Sequence, residues 1–311
     1  MRMPDQLDLK IIDALKEDPQ ATNKAIAIRL DVSEPSIAQR IRSMSKDNIM
    51  RVVAQRDIYA GPYTMTAIST LEVEDSRFKE VGEAVAEFEE VISVATGMRA
   101  PRLFVSIRAT GRQHLDDFLR EQIAQIPGVH TIGTQIMLRI FKYQTGYGLL
   151  STKMPTHRGD NGGDEKDESI IAALLEDGRM SNREIARRLD ISESNVRQRL
   201  KKMSDEKRMR LGVICDTHAV GKPLLAAGCI KTKAPETDKV ITEMVGLEDV
   251  GYVGTTSGEF NLFTIAQGTT LESFQKLYFQ RVASLSGVLD VQLELYAGGM
   301  KQRYDLIRIR D

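Results

Sequence analysis

The chain shows two kinds of hydrophobic pattern, and each kind occurs twice. The N-terminal segment has apolar residues at helical spacing, which predicts three short helices. The positions that carry this pattern are Leu7, Ile11, Ile12, Leu15, Ile26, Leu30, Ile37, Ile41 and Met44. Beyond Asp47 the spacing changes, and the elements follow in the order strand, helix, strand, strand, helix, strand. That order is typical of a ferredoxin-like βαββαβ domain, so the pattern predicts an α+β fold.

The elements of the two βαββαβ segments are predicted to within a few residues. The first copy has strands at 65–73, 91–96, 103–107 and 129–140, and helices at 78–88 and 114–126. The second copy has strands at 225–231, 250–255, 262–266 and 288–296, and helices at 238–245 and 271–285. A further strand, in IMRVVAQRD and again in MRLGVICD, leads away from each set of three helices.

The two copies are related by a shift of 159 positions. LDVSEPSIAQRIRSMS, from Leu30, and LDISESNVRQRLKKMS, from Leu189, are identical at 8 of 16 positions. The chain is therefore a tandem duplication. The predicted organisation is a helix-turn-helix domain at 1–50, a βαββαβ domain at 51–150, a flexible linker at 151–166, a second helix-turn-helix domain at 167–208 and a second βαββαβ domain at 209–311.

The third helix of each set has the features of a DNA-recognition helix. Ser33 and Ser192 precede it as N-caps, after the tight turn LDVS or LDIS. Such a helix lies in the major groove, where Asn, Gln and Arg bond base edges and Lys and Arg neutralise phosphates. The residues that we expect to contact DNA are Ser36, Gln39, Arg40 and Arg42 in the first copy, and Ser194, Asn195, Arg197, Gln198, Arg199, Lys201 and Lys202 in the second.

Charge differs between the two copies. Residues 179–202 carry eight basic and three acidic side chains, a net charge of +5. The matching residues 20–43 carry four basic and two acidic ones, a net charge of +2. Because each neutralised phosphate releases counterions, the second copy is predicted to bind DNA more tightly and with a steeper salt dependence.

This arrangement resembles the Lrp/AsnC (feast/famine) family of bacterial and archaeal transcription regulators over essentially the whole chain, twice. The LDxSExxxxQRxxxMS repeat is similar to the family's recognition-helix region. The resemblance implies that the βαββαβ domains pair, here as an intramolecular pseudo-dimer or in a homo-oligomer. It also implies two partners, double-stranded DNA and a small-molecule effector such as an amino acid or related metabolite.

A loop between the second and third strands of the βαββαβ domain contributes to effector binding in that family. The second copy has TTSGEFNLF here, which implies an effector site formed by Thr256, Ser257, Gly258, Glu259 and Asn261. The residue types depart from the family's pattern at Asn261, where aspartate is usual. The first copy has GMRAPRLF, with Arg99 in place of the glycine, so the second copy is expected to keep more of the sensing function. A glycine turn between adjacent strands also forms without any ligand.

Composition and motifs further limit the class of protein that this chain can be. Hydrophobic content of 41% and charged content of 28% are ordinary for a globular protein. Cys215 and Cys229 are too few for a disulfide framework or a four-ligand zinc site. Because no phosphate-binding loop or nucleophile motif occurs, we expect no cofactor, no metal and no enzymatic activity. The start MRMPDQLDLK lacks the apolar core of a signal peptide, so a cytoplasmic, soluble protein without a membrane partner is expected.

A tandem enzyme is the alternative from another class. Fused proteins of this architecture also occur as siroheme decarboxylases, which act on a tetrapyrrole and resemble the regulators. Such an enzyme requires positioned histidines, and the histidine-rich strand motif of those enzymes is absent here. The four histidines of the chain are His114, His130, His157 and His218, and we expect them at the surface.

Overall fold

The computed structural model describes residues 2–98, 101–143, 146–148, 150 and 164–309. Residues 151–163 of the predicted linker lie outside this range, as do Arg99 and His157. The chain forms two compact units. The helix unit comprises Met1–Gly61, Thr145–Val220 and Tyr304–Arg310, and the barrel unit comprises Pro62–Gln144 and Gly221–Arg303.

The elements repeat in the same order in both halves of the chain. The first half contains α1 (Gln6–Glu17), α2 (Asn23–Leu30), α3 (Glu34–Lys46), β1 (Met50–Asp57), β2 (Met65–Val73), α4 (Phe78–Glu87), β3 (Val91–Gly97), β4 (Arg102–Ala109), α5 (Arg112–Asp117, continued by a π-helix over Phe118–Ile123), β5 (Val129–Tyr143) and β6 (Tyr147–Gly148). The second half contains α6 (Glu165–Glu176), α7 (Asn182–Leu189), α8 (Glu193–Asp205), β7 (Met209–Asp216), β8 (Leu224–Thr232), α9 (Thr237–Val245), β9 (Val250–Thr256), β10 (Leu262–Gly268), α10 (Leu271–Phe274, continued by a π-helix over Gln275–Val282), β11 (Val288–Gln302) and β12 (Leu306–Ile307).

The helix unit contains both helix-turn-helix modules, which we call module one (α1–α3) and module two (α6–α8). The apolar positions that predict the helices of module one all face inward, and Ile11, Leu15, Ile37 and Met44 are fully buried. Module two has its own cluster, in which Val196 is fully buried on α8. Burying side chains of this size stabilises a small module by about 1.5–3 kcal/mol each.

A four-stranded sheet joins the two modules, in the order β12-β1-β7-β6. β1 and β7 run antiparallel, with Val53 opposite Gly212. These two residues are equivalent positions of the duplication, so a local two-fold axis passes through this pair and relates module one to module two. The short edge strands obey the same symmetry, because Leu306 lies beside Arg56 as Tyr147 lies beside Cys215.

The barrel unit is a closed eight-stranded barrel in the order β10-β8-β11-β3-β4-β2-β5-β9. Each half contributes four adjacent strands in ferredoxin-like order, and the halves meet at two seams, β5–β9 and β11–β3. Met137 lies opposite Thr256 at one seam, and the equivalent residues Tyr296 and Gly97 lie opposite each other at the other. The βαββαβ domains therefore pair within one chain, as the pseudo-dimer expectation required.

Two equivalent lysines tie each half of the barrel to a helix of the other half. Lys142 on β5 donates through Nζ to the carbonyl oxygens of Val245 (3.0 Å) and Leu247 (2.7 Å) at the C-terminal end of α9. Lys301 on β11 donates to the carbonyl oxygen of Phe88, at the end of α4, at 2.7 Å. A cation at this place satisfies the last carbonyls of a helix and opposes the negative end of its dipole. Burial lowers the pKa of Lys142.

The α+β fold and its two-repeat organisation are confirmed, and the differences lie at boundaries. β1 and β7 pack with the helices, so the units divide after Gly61 and Val220 rather than after residues 50 and 208. α6 begins at Glu165, two residues inside the predicted linker, because Asp164 caps it through a hydrogen bond from Lys166 N at 2.8 Å. Among the described residues, no helix combines the length and the apolar run needed to span a bilayer.

The two seams allow a prediction about the first half of the barrel expressed alone. A fragment of residues 62–144 would expose the unpaired edges of β3 and β5, and exposed strand edges recruit other strands. We expect it to form a homodimer that reproduces the two seams, measured by light scattering during size-exclusion chromatography. Mixing it with the matched fragment 221–303 should give a heterodimer. A stable monomer at high concentration would show that the seams do not drive pairing.

Candidate nucleic-acid interface

The recognition helices α3 and α8 begin in the same way. Ser33 and Ser192 each accept, through Oγ, from the backbone N–H three residues on, at 3.4 and 3.2 Å. Just before these caps, Asp31 and Asp190 adopt the left-handed conformation, with φ of 55° and 52°. Aspartate enters this region more readily than most residues because its short side chain bonds locally. The turn that orients the recognition helix is therefore built identically in both modules.

The outer face of each recognition helix presents an amide and a cation. Gln39 and Arg42 are exposed on α3, and their equivalents Gln198 and Lys201 are exposed on α8. Neither Arg42 nor Lys201 has an ion-pair partner among the described residues. These four side chains have the chemistry expected for base-edge and phosphate contacts.

The remaining predicted contact residues differ in how available they are. Ser194, Arg197 and Lys202 are exposed, whereas Ser36 is partly buried. Arg197 donates to Glu193 one turn earlier at 3.1 Å. An exposed ion pair of this kind contributes about 0–1 kcal/mol, so a phosphate can replace the carboxylate. The side chain of Asn195 is partly committed, because its Oδ1 accepts from Arg199 Nε at 2.9 Å.

Arg40 and Arg199, which are also predicted to contact DNA, form ion pairs inside their own modules and are only partly exposed. Arg40 Nη1 lies 2.7 Å from Asp5 and 2.9 Å from Asp8, and Asp8 is fully buried. Arg199 Nη1 lies 2.7 Å from Asp167, the equivalent of Asp8. The guanidinium groups therefore cross-link the recognition helix to the first helix. The sequence did contain a signal, since an aspartate on the apolar face of α1 and again of α6 requires a cationic partner.

Arg179 is also committed, although the sequence counts it in the basic excess of module two. Its guanidinium donates to the carbonyl oxygens of Pro19 (3.3 Å) and Ala21 (2.9 Å) and to Asn23 Oδ1 (3.0 Å), all in module one. Burial lowers its pKa. Two of the eight cations of module two, Arg179 and Arg199, and one of the four of module one, Arg40, are therefore bound to groups within the protein.

The predicted effector loop is mostly occupied by its own hydrogen bonds. Thr256 Oγ1 donates to the carbonyl oxygen of Phe260, and Glu259 pairs with Lys231 at 2.9 Å. Ser257 bridges the β5–β9 seam, where its N–H donates to the Ile136 carbonyl oxygen at 2.9 Å and its Oγ accepts from Ile136 N at 3.0 Å.

Asn261 and Gly258 complete this loop. Asn261 accepts from Thr232 N at 2.9 Å and donates to Thr232 Oγ1 at 2.8 Å, which ties β10 to β8. Gly258 has a φ of +111°, and a Cβ there would meet no atom within 4 Å. Open space in this loop is therefore found at Gly258. The side chains of Thr256, Ser257, Glu259 and Asn261 form the hydrogen bonds and the ion pair that hold the loop in place.

The described histidines do not form one group. His218 lies in the helix unit with 58% of its side chain exposed, and His130 is exposed on β5 in the barrel unit. His114 is partly buried, and its Nδ1 accepts from Thr110 N at 3.1 Å at the start of α5. No group of three metal-ligating side chains occurs among the residues described. Burial raises the pKa of Cys215 to about 11, so this thiol stays protonated near neutral pH.

Two exposed recognition helices related by a local two-fold axis, together with paired βαββαβ domains, define a pseudo-dimeric helix-turn-helix DNA-binding protein. Models of protein families agree with this class along the chain. The AsnC-type helix-turn-helix domain matches residues 164–204, the Lrp/AsnC ligand binding domain matches residues 66–147, and a winged helix-turn-helix DNA-binding model matches residues 4–49. The chain belongs to the Lrp/AsnC family of DNA-binding transcription regulators.

Its relatives have about half its length. An uncharacterized HTH-type transcriptional regulator of Pyrococcus furiosus is 30% identical over 151 residues, which is 99% of that protein and 48% of this chain. The HTH-type transcriptional regulator FL11 of Pyrococcus horikoshii is 31% identical over 97% of its length and 47% of this chain. The crystal structure of the siroheme decarboxylase NirDL is similar over 96% of this chain and 93% of its own, with a TM-score of 0.65 and 15% identity, which shows a shared tandem fold.

Proposed function

We propose that this chain is a sequence-specific transcription regulator that binds one operator with both of its recognition helices. The observation that carries the proposal is the local two-fold axis through Val53 and Gly212, because operator half-sites mirror the symmetry of the protein that reads them. One chain supplies both helices, so the second is always present at high effective concentration.

The proposed base contacts are shared in part between the modules. Gln39 and Gln198 are equivalent, and glutamine bonds adenine in a bidentate manner. Arg42 and Lys201 are also equivalent, but arginine favours guanine through a fixed fork that lysine lacks. The proposed operator is therefore an imperfect palindrome, with the glutamine position common to both half-sites. Ser36, Ser194, Asn195, Arg197 and Lys202 are assigned to the phosphate backbone or to neighbouring bases.

The first test is DNA binding itself. We expect the protein to shift its own promoter region specifically, with an affinity that falls steeply between about 50 and 200 mM salt, because Lys and Arg contacts release counterions. Mobility shifts against a scrambled fragment of equal length measure this. Equal affinity for the promoter fragment and the scrambled fragment at every salt concentration would overturn the regulator proposal.

Modulation by a small molecule is part of the same proposal. The family model that matches residues 66–147 is described as a ligand binding domain, and this supports an effector in the barrel unit. Amino acids and related metabolites are the first candidates. Thermal shifts of the full chain with each of the twenty amino acids, followed by operator binding with any that stabilise it, test this part. Further assembly into a homo-oligomer is measured in the same preparations by light scattering.

An experiment can distinguish the alternative function, a siroheme decarboxylase, from a transcription regulator. The described histidines are divided between the two units, and likeness to the decarboxylase structure extends to the fold alone. Incubation of the purified protein with siroheme, followed by absorbance spectra and product analysis, separates the classes. We expect neither a Soret band nor a decarboxylated product.

A further inference from the structure

A cleft in the helix unit lies directly beside the recognition helix of module one. It is bounded by the C-terminal half of α3, the start of β1 and the turn between α6 and α7, and its volume is about 490 Å³. Ile41, Met50 and Val52 are its apolar lining residues, and each is at most 9% exposed. A volume of this order is typical of small-molecule sites, which combine apolar walls with a few polar groups.

Among the charged residues of the cleft, two arginines remain available to bind an anion. Arg179 donates to three acceptors in module one, and Glu176 is paired with Arg188 at 2.8 Å. Arg42 has no ion-pair partner among the described residues, and Arg51 has only a hydrogen bond from its Nη2 to Asn48 Oδ1. The guanidinium groups of Arg42 and Arg51 thus line the same cleft as Ile41, Met50 and Val52, and Glu176 and Asp177 line it as well.

One lining residue of this cleft differs greatly in size between the two modules. Ala38 lines it, and the equivalent residue in module two is Arg197, a much larger side chain. The position of Arg179 is occupied by Gln20 in the first copy. The fold therefore accepts a bulky side chain at the Ala38 position, and the small residue is a feature of module one rather than a requirement of the helix.

We propose that this cleft binds a small aliphatic monocarboxylate and that the bound anion weakens DNA binding by module one. The carboxylate would bond to Arg42 and Arg51, since guanidinium forks match carboxylate geometry, and the aliphatic body would cover Ile41, Met50 and Val52. Asp177 and Glu176 oppose anions of higher charge such as phosphate. The regulatory half rests on the proposed function, because it requires Arg42 to contact DNA.

Binding is tested first without DNA, on the full-length protein. Isothermal titration with isovalerate should show saturable binding, whereas the neutral isovaleramide and inorganic phosphate at equal ionic strength should not bind. Ala38→Arg, which copies module two and places a long side chain at the lining of the cleft, should abolish binding. Arg51→Ala should weaken it about tenfold, since a charge-assisted bond is lost. The two-fold-related Arg210→Ala is the matched control and should bind like the parent.

The regulatory half is tested separately. Saturating isovalerate should lower the operator affinity of the parent about fivefold or more, and that of Ala38→Arg not at all. Melting temperatures of the variants establish that each is folded. Absence of isovalerate binding, or binding equal in Ala38→Arg, Arg51→Ala and the parent, would overturn the site even if operator binding holds. Binding without any change in operator affinity would overturn the regulation alone.

Discussion

Replacing Arg197, Gln198 and Lys201 by alanine should lower the affinity for operator DNA more than tenfold and reduce the slope of its salt dependence by about two. One lost base contact costs about 1–3 kcal/mol, and each lost phosphate contact reduces the slope by about one. All three side chains are exposed on α8, and Val196, which anchors this helix in its module, is untouched. The module should therefore remain folded.

The matched variant in module one requires only two substitutions, because Ala38 is already alanine. Gln39→Ala with Arg42→Ala should also weaken binding, but the salt slope should fall by about one. Fluorescence anisotropy over a salt series measures both quantities. Lys79→Ala controls for loss of charge, since Lys79 is an exposed residue of α4 in the barrel unit. Equal losses from the two recognition helices would show that the extra cation of module two has no role in binding.

The difference between the modules illustrates what the sequence can and cannot predict about a charged surface. Serine caps, helical spacing and basic outer faces are local features, and they correctly placed both recognition helices. Arg199 and Asp167, by contrast, are 32 positions apart, and Arg179 bonds to carbonyl groups in the other module. Which cations are occupied depends on long-range packing, so a count of charges along the chain does not show how many of them are available to DNA.

The same distinction applies to the strands. β5 was predicted to end near residue 140 and β11 near residue 296, but they extend to Tyr143 and Gln302. The added residues pair with β9 and β3 of the other half. A strand that is completed by a distant partner carries little local signal for its own end. The π-helical continuations of α5 and α10 are missed for a related reason, because periodicity does not distinguish hydrogen bonds to the fifth residue from bonds to the fourth.

Loss of the buried carboxylate in module one should have the largest effect on stability. Asp8 is fully buried, and its oxygens bond Arg40 at 2.9 Å and the N–H of the cap residue Asp5 at 3.1 Å. Breaking a buried pair from one side costs about 3–5 kcal/mol. Because Arg40 can still reach water, we expect about 2–3 kcal/mol for Asp8→Ala. Asp13→Ala, an exposed position on the same helix, is the control and should change little.

Hydrogen exchange measured by mass spectrometry localises this loss of stability, since α1–α3 should exchange faster and the barrel unit should not.

Acid should destabilise module one of the parent protein in the same way. Burial by itself would raise the pKa of Asp8, but hydrogen bonds from Arg2 and Arg40 outweigh it and lower the pKa below its ordinary value of 3.8. A depressed carboxyl pKa stabilises the fold above the unfolded value and loses this contribution as pH falls through the folded value. Module one should therefore lose protection below about pH 4 in the parent, with a weaker pH dependence in Asp8→Ala. Identical acid profiles for the two proteins would show that the Asp8 ion pairs do not stabilise the module.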